Sequence, residues 1–360
     1  MTVRGKSRID DLREQIDGVN EKVLQLLNRR TQLVEQVRDQ KLKFGLPMYD
    51  PMRERDQMAR LLAHNPGPMS RTTVENIFRE VFRASLAQMQ LGAEEKLQVK
   101  MREMAPRGVD VSGIPIGAGK PIIIAGPCAV EQKRTLDVAA RRLKALGVQF
   151  LRGGGFKPRT SPYAFQGLGM RGVEILAEVA SRHGMRSVSE ATDVTSLARF
   201  VELVDVVQVG ARNMFNYDLL KRLGEIRRPV LLKRSFGATT EEMFLAAEYL
   251  MSGGNRNVVL CERGIRTFET ATRNTLDLSS VCLVKETTDL PIIVDVSHAA
   301  GRRDLLLRLS RAALAAGADG LMVEVHPAPG AALSDGSQQL GLDEFARFME
   351  GLQPYLEQRG

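Results

Sequence analysis

The stretch FLRGGGFKPRTSP, residues 150–162, decides the prediction of the fold. An apolar strand end, Phe150 and Leu151, runs into three glycines, and the cations Arg152, Lys157 and Arg159 stand within eight residues of one another. Glycines let a backbone approach a ligand closely, and Arg and Lys donate hydrogen bonds to phosphate and carboxylate oxygens. The stretch therefore predicts a phosphate-binding loop at the end of a β-strand. A solvated basic loop is the alternative for this segment taken alone.

The same arrangement recurs from Pro121 onward. Short apolar runs alternate with helical stretches, and the runs are 122–125, 149–151, 187–188, 206–209, 230–232, 258–260, 292–296 and 321–323. Eight such units predict an α/β fold, a (β/α)8 TIM barrel over residues 121–360, with its active site at the C-terminal strand ends. The residues at these predicted ends are polar: Cys128, Arg152, Glu190, Arg212, Lys233, Glu262-Arg263, His298 and Glu324. Any one of them could be a structural ion pair, but together on one rim they indicate an active site.

Four of the polar residues form a possible metal-binding set: Cys128, His298, Glu324 and Asp335. One thiolate, one imidazole and two carboxylates favour a divalent transition metal, Mn, Fe, Co or Zn, over Mg or Ca. A buried, inert thiol is the commoner fate of a lone cysteine. Cys128, however, directly follows Gly126-Pro127 at a strand end, which favours the metal site.

The N-terminal segment predicts a long helix, because its apolar residues recur at steps of three and four from Ile9 to Val37. Arg30 interrupts this apolar seam, where a guanidinium is costly unless an anion meets it. Snorkelling to the surface is the alternative. Lys41 lies about 16 Å from Arg30 along the helix, whereas Arg13 lies about 25 Å away on the other side. We therefore expect Arg13 to reach this ligand from a second, antiparallel chain.

Two further helices complete a predicted all-α domain over residues 1–92. Asp50-Pro51 is typical of a helix start, and that helix would run to about Ala63. The third helix is expected from about Thr72. Residues 93–120 are predicted to be a linker with a hairpin-like lead-in to the barrel.

Composition restricts the possible partners of this 360-residue chain, whose formal charge is +8. The cations are scattered rather than clustered with aromatics, so we expect small anionic substrates and no nucleic acid. The absence of an apolar run of about 18 residues and the charged N-terminus predict no membrane span and no signal peptide. The three cysteines have no disulfide spacing, which favours a reducing, cytoplasmic location.

The helical segment resembles the all-helical class of chorismate mutases in Leu12-Arg13, Arg29-Arg30, Lys41 and the run DPMRER at 50–55. That resemblance implies a cationic site shared across an intertwined dimer. It implies chorismate- or prephenate-binding roles for these residues: Arg13, Arg30, Lys41, Asp50, Arg53, Glu54 and Ser85. The family commonly has Gln, which bonds the substrate's ether oxygen, where this chain has Met89. We therefore expect binding to survive better than mutase catalysis, so a working mutase and a regulatory sensor both stay open.

The C-terminal part resembles 3-deoxy-D-arabino-heptulosonate 7-phosphate (DAHP) synthases, in the version fused to a chorismate mutase domain. The resemblance lies in AGPCAVE (125–131), KPRTS (157–161), GARNM (210–214), LKR (232–234) and DVSH (295–298). It implies condensation of phosphoenolpyruvate with erythrose 4-phosphate, the first step of the shikimate pathway and of aromatic amino acid biosynthesis. The alternative is 3-deoxy-octulosonate 8-phosphate synthase, which typically has Asn-Arg-Ser-Ser in the phosphate loop and would take arabinose 5-phosphate.

The resemblance also implies the roles of individual residues. Phosphoenolpyruvate would be held by Arg152, Lys157, Arg212, Lys233 and Arg263. Erythrose 4-phosphate would be held by Pro158, Arg159, Thr160 and Ser161. Catalysis would involve Lys157, Cys128, His298 and Glu190. One divalent metal per barrel, with Mn favoured over Fe, Co and Zn, would polarise the aldehyde oxygen. We expect a homo-oligomer, a dimer through the helical domain and a tetramer overall, in which prephenate binding inhibits the barrel allosterically.

Overall fold

The computed structural model describes residues 3–44, 46–94, 97–100, 108–157, 161 and 163–357. The chain divides into two compact units, Met1–Leu97 and Gln98–Gly360. The domain bounds expected from the sequence, 1–92, 93–120 and 121–360, remain predictions.

Three helices make up the described part of the first unit: α1 Val3–Lys43, α2 Pro51–Ala63 and α3 Arg71–Glu94. Helices α1 and α2 both contact α3. Asp50 caps α2, since its Oδ1 accepts a hydrogen bond from the backbone N–H of Arg53 at 3.0 Å, and Pro51 is the first helical residue. A side-chain acceptor at the cap and a proline without N–H fit the unsatisfied first turn of a helix.

The apolar seam of α1 is exposed within this one chain. Leu12, Ile16 and Val19 are 51%, 58% and 57% exposed, and Leu26 is 71% exposed. Apolar stripes of this size on a soluble protein mark surfaces that another element or molecule covers. The other described helices of the unit therefore leave this stripe of α1 largely uncovered.

In the described part of the second unit, eight parallel strands close into a barrel, in which each strand pairs with the next one along the chain and the last pairs with the first. The strands are β3 Ile122–Gly126, β4 Phe150–Arg152, β5 Arg186–Ala191, β6 Val206–Val209, β7 Val230–Lys233, β8 Val258–Glu262, β9 Ile292–Asp295 and β10 Gly320–Glu324. The helices of this unit are α4 Lys133–Ala145, α5 Met170–Arg182, α6 Leu197–Leu203, α7 Tyr217–Gly224, α8 Thr240–Ser252, α9 Leu278–Thr287, α10 Val296–Ala300, α11 Leu306–Ala315 and α12 Leu342–Glu357. The predicted TIM barrel is confirmed.

A small hairpin closes the barrel at the N-terminal ends of its strands. Its strands, β1 Val109–Val111 and β2 Ile114–Ile116, pair antiparallel. Val109, Val111 and Ile116 join the buried cluster that contains Ile122 and Phe150, the first residues of β3 and β4. The opposite, C-terminal rim is therefore the end of the barrel that can hold a site.

Several strands end beyond the predicted runs, and the differences at β9 and β5 bear on the site. The run 292–296 was expected to be one strand, but β9 ends at Asp295 and α10 begins at Val296. The reason is local: Asp295 Oδ1 accepts a hydrogen bond from the backbone N–H of His298 at 3.0 Å, which caps the short helix. Strand β5 is also longer than the predicted run 187–188, so Glu190 lies within it.

No helix among the described residues is long and apolar enough to cross a membrane.

Candidate functional site

Four side chains converge at the C-terminal rim of the barrel: Cys128, His298, Glu324 and Asp335, whose possible ligand atoms all lie within 4.8 Å of one another. The Sγ of Cys128 lies 3.1 Å from Asp335 Oδ2. The Nε2 of His298 lies 3.4 Å from Glu324 Oε1. These are the four residues that the sequence predicted. A soft sulfur, an imidazole and two carboxylates at this spacing fit one divalent transition metal.

Burial sets the ionisation of this cluster. It raises the pKa of the Cys128 thiol to about 12, and the nearby Glu324 carboxylate adds to the effect. The thiol is therefore protonated in the metal-free protein, and a metal ion would have to displace that proton. Burial alone would also raise the pKa of Glu324, but its interactions with His298, Arg152 and Lys157 outweigh that effect and hold the pKa far below its ordinary range.

Close backbone packing places Cys128 beside Arg152. Gly126, two residues before the cysteine, has φ of 150°, and a Cβ on it would lie 2.1 Å from the carbonyl oxygen of Arg152. Only glycine fits there. The backbone N–H of Cys128 donates to Gln339 Oε1 at 3.0 Å. The Gly126-Pro127 pair noted in the sequence thus fixes where the thiol stands.

Beside the cluster lies a cleft of about 210 Å³. Its lining includes all five cations predicted to hold phosphoenolpyruvate: Arg152, Lys157, Arg212, Lys233 and Arg263. Glu190 also lines the cleft, and its Oε2 accepts a hydrogen bond from Gln208 Nε2 at 3.2 Å. Among the described residues, the cleft is therefore dominated by positive charge and suits a small ligand with several negative charges.

The cations of the cleft are held in different ways. Arg152 Nη1 donates to Glu324 Oε1, and Lys233 Nζ donates to Asp295 Oδ2, so both cations are ion-paired with buried carboxylates. Arg263 donates to the carbonyl oxygens of Gly264 and His298, each at 3.4 Å, and burial lowers its pKa. A buried guanidinium of this kind gains most from an anionic ligand.

The predicted erythrose phosphate loop is described only in part. Pro158, Arg159 and Thr160 lie outside the described residues, and Ser161 is exposed. On the near side of the loop, Lys157 donates its backbone N–H to the carbonyl oxygen of Gln166 at 2.8 Å. The role of this loop remains a prediction.

Sequence reasoning missed several residues that line the cleft: Gln208, Phe236, Arg266, Arg273 and Asn274. The guanidinium of Arg266 lies 4.6 Å from the ring centroid of Phe236. Arg273 donates to Gln338 Oε1 at 3.0 Å, and Gln338 Nε2 donates to Glu324 Oε2 at 2.6 Å. For Arg266, Arg273 and Asn274 the available signal was the stretch with several polar residues after Glu262-Arg263, which a search confined to strand ends does not reach.

A second pocket, of about 400 Å³, lies in the helical unit. Six of the seven predicted residues line it: Arg30, Lys41, Asp50, Arg53, Glu54 and Ser85. Arg30 donates to Ser85 Oγ, and its guanidinium lies 5.4 Å from the ring centroid of Phe82. Met89 lines the pocket too, as does Gln57, which the sequence analysis did not single out.

The polar groups of this pocket fit an anion. Burial lowers the pKa of Arg30, which shows that the guanidinium is partly desolvated. Lys41 Nζ donates to the carbonyl oxygen of Met48 at 2.9 Å. Arg13 is not among the residues that line the pocket: its side chain is 72% exposed and lies 3.2 Å from Asp10. A single chain therefore brings six of the seven predicted chorismate- or prephenate-binding residues to this pocket, and Arg13 is not among them.

Two family descriptions match the chain. The sequence model of the DAHP synthetase I family matches residues 90–358. The model of chorismate mutase type II matches residues 12–90. The two matches meet near the boundary between the two compact units.

Individual relatives agree with these matches. A phospho-2-dehydro-3-deoxyheptonate aldolase from Thermotoga maritima is 50% identical over 261 residues, which are 72% of this chain and 77% of the relative. A 2-dehydro-3-deoxyphosphooctonate aldolase from Methylococcus capsulatus is 30% identical, over 69% of this chain and 93% of the relative.

Solved structures are similar as well. A crystal structure of the DAHP synthase from Thermotoga maritima has a TM-score of 0.67 at 50% identity, covering 69% of this chain and 73% of that one. A truncated form of the enzyme from the same organism has a TM-score of 0.66 at 46% identity, covering 72% of this chain and 95% of that one.

Proposed function

The chain belongs to the DAHP synthetase I family and carries a chorismate mutase type II region before its barrel, and we propose that it condenses phosphoenolpyruvate with erythrose 4-phosphate. The products are DAHP and inorganic phosphate. The observation that carries this proposal is the cleft lined by seven Arg and Lys side chains directly beside the Cys-His-Glu-Asp cluster.

Phosphoenolpyruvate would occupy the cationic cleft. It carries a carboxylate and a phosphate, and Arg263, Arg212 and Lys157 line the cleft and offer donors to such groups. Lys233 and Arg152, whose charges are partly balanced by buried carboxylates, would complete the anion site. Clustered cations in a confined cleft attract such a ligand strongly, because water screens them poorly there.

Cys128, His298, Glu324 and Asp335 would hold the metal, with Mn²⁺ the first choice and Fe, Co or Zn as alternatives. A bound divalent ion supplies Lewis-acid polarisation of an aldehyde oxygen. This chain's own residues would bind and orient the reactants: the cations fix the phosphoenolpyruvate, and Arg159, Thr160 and Ser161, with Pro158, would bind the aldose phosphate. Lys157 and Glu190 line the cleft as candidate proton donors and acceptors.

The alternative aldose is arabinose 5-phosphate, which would make the enzyme an octulosonate phosphate synthase. Relatives with that name are about 30% identical to this chain, against 50% for the heptulosonate enzyme. The phosphate loop KPRTS at 157–161 also favours erythrose 4-phosphate. We therefore assign the four-carbon substrate.

For the helical unit we propose a chorismate or prephenate site. Arg30, Lys41 and Arg53 surround a pocket that could pair with the carboxylates of such a ligand, with Ser85 beside Arg30. Mutase catalysis would require no covalent step, only cations that complement the developing charge. Met89 offers no strong hydrogen-bond donor, so mutase turnover would be weak while ligand binding persists.

The exposed apolar stripe of α1 supports assembly of this unit as a dimer. In a dimer the exposed Arg13 would enter the pocket of the partner, as the resemblance implies. A tetramer rests on that resemblance alone. Occupation of the helical site would inhibit the barrel, and such coupling must be reciprocal. The three free thiols, Cys128, Cys261 and Cys282, are compatible with a reducing cytoplasm.

A phosphate-release assay on the full chain tests the proposed reaction. Protein stripped with chelator and then given phosphoenolpyruvate and erythrose 4-phosphate should release no phosphate, and added Mn²⁺ should restore release. Stripped protein without detectable metal that still turns over would refute the metal-dependent condensation. Chorismate added to the same protein, with prephenate measured, reports the mutase activity separately.

A further inference from the structure

Asp295, the last residue of β9, is fully buried between two parts of the proposed active site. Its Oδ2 accepts a hydrogen bond from His298 Nδ1 at 2.8 Å and another from Lys233 Nζ. His298 belongs to the metal cluster and also lines the cleft, whereas Lys233 lines the cleft and is not part of the cluster. One carboxylate oxygen therefore touches a residue from each site.

This carboxylate is fully buried, and its shared oxygen depends on both partners for its hydrogen bonds. The ring and the backbone of His298 and the ammonium group of Lys233 all donate to Asp295, so these contacts satisfy its oxygens inside the protein. A buried charge with one partner removed is left poorly compensated. A change at either partner is therefore felt at the shared oxygen.

The contact also fixes which nitrogen of His298 faces the metal cluster. Because the carboxylate accepts from Nδ1, the proton sits on Nδ1, and the lone pair of Nε2 points towards Glu324, 3.4 Å away. The second carboxylate oxygen, Oδ1, holds the backbone N–H of His298 at 3.0 Å. Both the ring and the backbone of His298 are thus oriented by Asp295.

We propose that Asp295 is a positioning residue that couples metal binding to phosphoenolpyruvate binding through this shared oxygen, an inference that rests on the proposed function. A cation on Nε2 makes the Nδ1–H a stronger donor to Oδ2. That oxygen then holds Lys233 less tightly, which leaves the ammonium group freer to bind the phosphoenolpyruvate anion. By linkage, phosphoenolpyruvate tightens metal binding by the same factor.

Asp295→Asn tests the coupling, because the amide keeps the size of the side chain but removes its charge and one acceptor oxygen. Mn²⁺ binding is measured on chelator-stripped protein by electron paramagnetic resonance, without and with phosphoenolpyruvate. We expect Mn²⁺ affinity to fall about 10- to 100-fold. We also expect that phosphoenolpyruvate no longer increases the affinity for Mn²⁺. Wild-type Mn²⁺ affinity together with wild-type tightening in this variant would overturn the proposal.

Asp319→Asn is the matched control. Asp319 is also a buried aspartate paired with a lysine, Lys285, at 2.9 Å, and it also accepts a backbone N–H, that of Ile292, at 2.8 Å. It precedes β10 and so lies at the N-terminal end of the barrel, away from the site. Mn²⁺ affinity, and its increase by phosphoenolpyruvate, should be unchanged in this variant. Equal losses of Mn²⁺ affinity in both variants would mean that any buried Asp–Lys pair matters, which overturns a specific role for Asp295.

A measurement on the wild-type chain covers the case in which Asp295→Asn does not fold. Nitrogen-15 NMR of the metal-free protein, with His298 assigned by comparison with His298→Asn, should show the proton on Nδ1. A proton on Nε2 would contradict the proposal. Failure of the proposed reaction would appear instead as absent phosphate release in a protein whose Mn²⁺ binding still depends on Asp295.

Discussion

The thiol of Cys128 is fully buried, 3.0 Å from Ser334 Oγ and 3.1 Å from Asp335 Oδ2. Cys128→Ser replaces the soft ligand by a hydroxyl that ionises far less readily. We expect Mn²⁺ affinity and phosphate release to fall by at least about 100-fold, since even changes to groups behind metal ligands cost about 10- to 100-fold. Metal content after gel filtration and the phosphate assay check this.

Cys282→Ser is the control for that substitution, because Cys282 is exposed on α9. It should keep both metal and activity. Full turnover by a Cys128→Ser protein that retains no metal would show that the cluster does not serve the reaction.

Gly210 leaves space for Glu190 in the cleft. A Cβ at Gly210 would lie 1.9 Å from Glu190 Oε1 and 2.4 Å from its Cδ, so Gly210→Ala must push this carboxylate aside. Misplacement by about 1 Å can cost about 100-fold in rate, and we expect a loss of that order in kcat. Steady-state kinetics with both substrates measures it.

Gly237→Ala is the matched control, since a Cβ there would meet nothing within 4 Å. Its kcat should stay within about twofold of wild type. If Gly210→Ala were equally harmless while folded, the position of Glu190 would not matter to turnover.

At the residue scale, the four possible metal ligands could be predicted because three of them stand at or just after a strand end and Asp335 lies in the loop that follows β10. Asp295 and Gln338 could not. Their importance comes from which atoms they contact, Lys233 and His298 for the first and Glu324 and Arg273 for the second. Residue type and spacing do not specify such contacts. The binding of erythrose 4-phosphate by Pro158, Arg159 and Thr160 remains a prediction.

At the scale of elements, the pocket of the helical unit depends on α1 for Arg30 and on α3 for Ser85. Arg30→Ala removes the partly buried guanidinium that bridges these two helices. We expect prephenate to bind about tenfold to hundredfold more weakly, because a charge-assisted hydrogen bond contributes roughly 1.5–3 kcal/mol. Titration calorimetry on the full chain measures the affinity.

Arg29→Ala provides the comparison, since Arg29 is exposed and donates to Gln32 on the same helix at 3.2 Å. Prephenate affinity should be unchanged in that variant. Equal affinities for both variants would place the ligand elsewhere.

The elements themselves were predictable where periodicity is strong. The steps of three and four predicted α1, and the Asp50-Pro51 pair located the start of α2. The change from β9 to α10 was not predicted, because Val296 continues an apolar run and only the contact from Asp295 Oδ1 to the His298 backbone reveals the cap. An apolar run shorter than a helix cannot by itself show where a strand ends.

At the scale of the whole molecule, the barrel followed from eight repeated units, whereas the domain bounds and the assembly remain predictions. Removing residues 1–97 should leave an active synthase that ignores prephenate, because the proposed effector site lies wholly in that segment. The cut keeps two contacts with α8. The backbone N–H of Val99 donates to Glu248 Oε2 at 3.1 Å, and Lys100 Nζ donates to Glu241 Oε1 at 2.7 Å. Phosphate release with and without prephenate measures the effect.

The full chain, assayed in parallel, should be inhibited by prephenate. Analytical ultracentrifugation shows whether the shortened chain stays soluble and in what assembly. Unchanged inhibition of the shortened chain would place the effector on the barrel itself.

The central claim is that the barrel joins phosphoenolpyruvate to a four-carbon aldose phosphate. In the most direct test, the full chain is incubated with Mn²⁺, phosphoenolpyruvate and equal concentrations of erythrose 4-phosphate and arabinose 5-phosphate in one reaction. Mass spectrometry then identifies the product. We predict a seven-carbon sugar acid phosphate in large excess. A predominantly eight-carbon product would contradict the account.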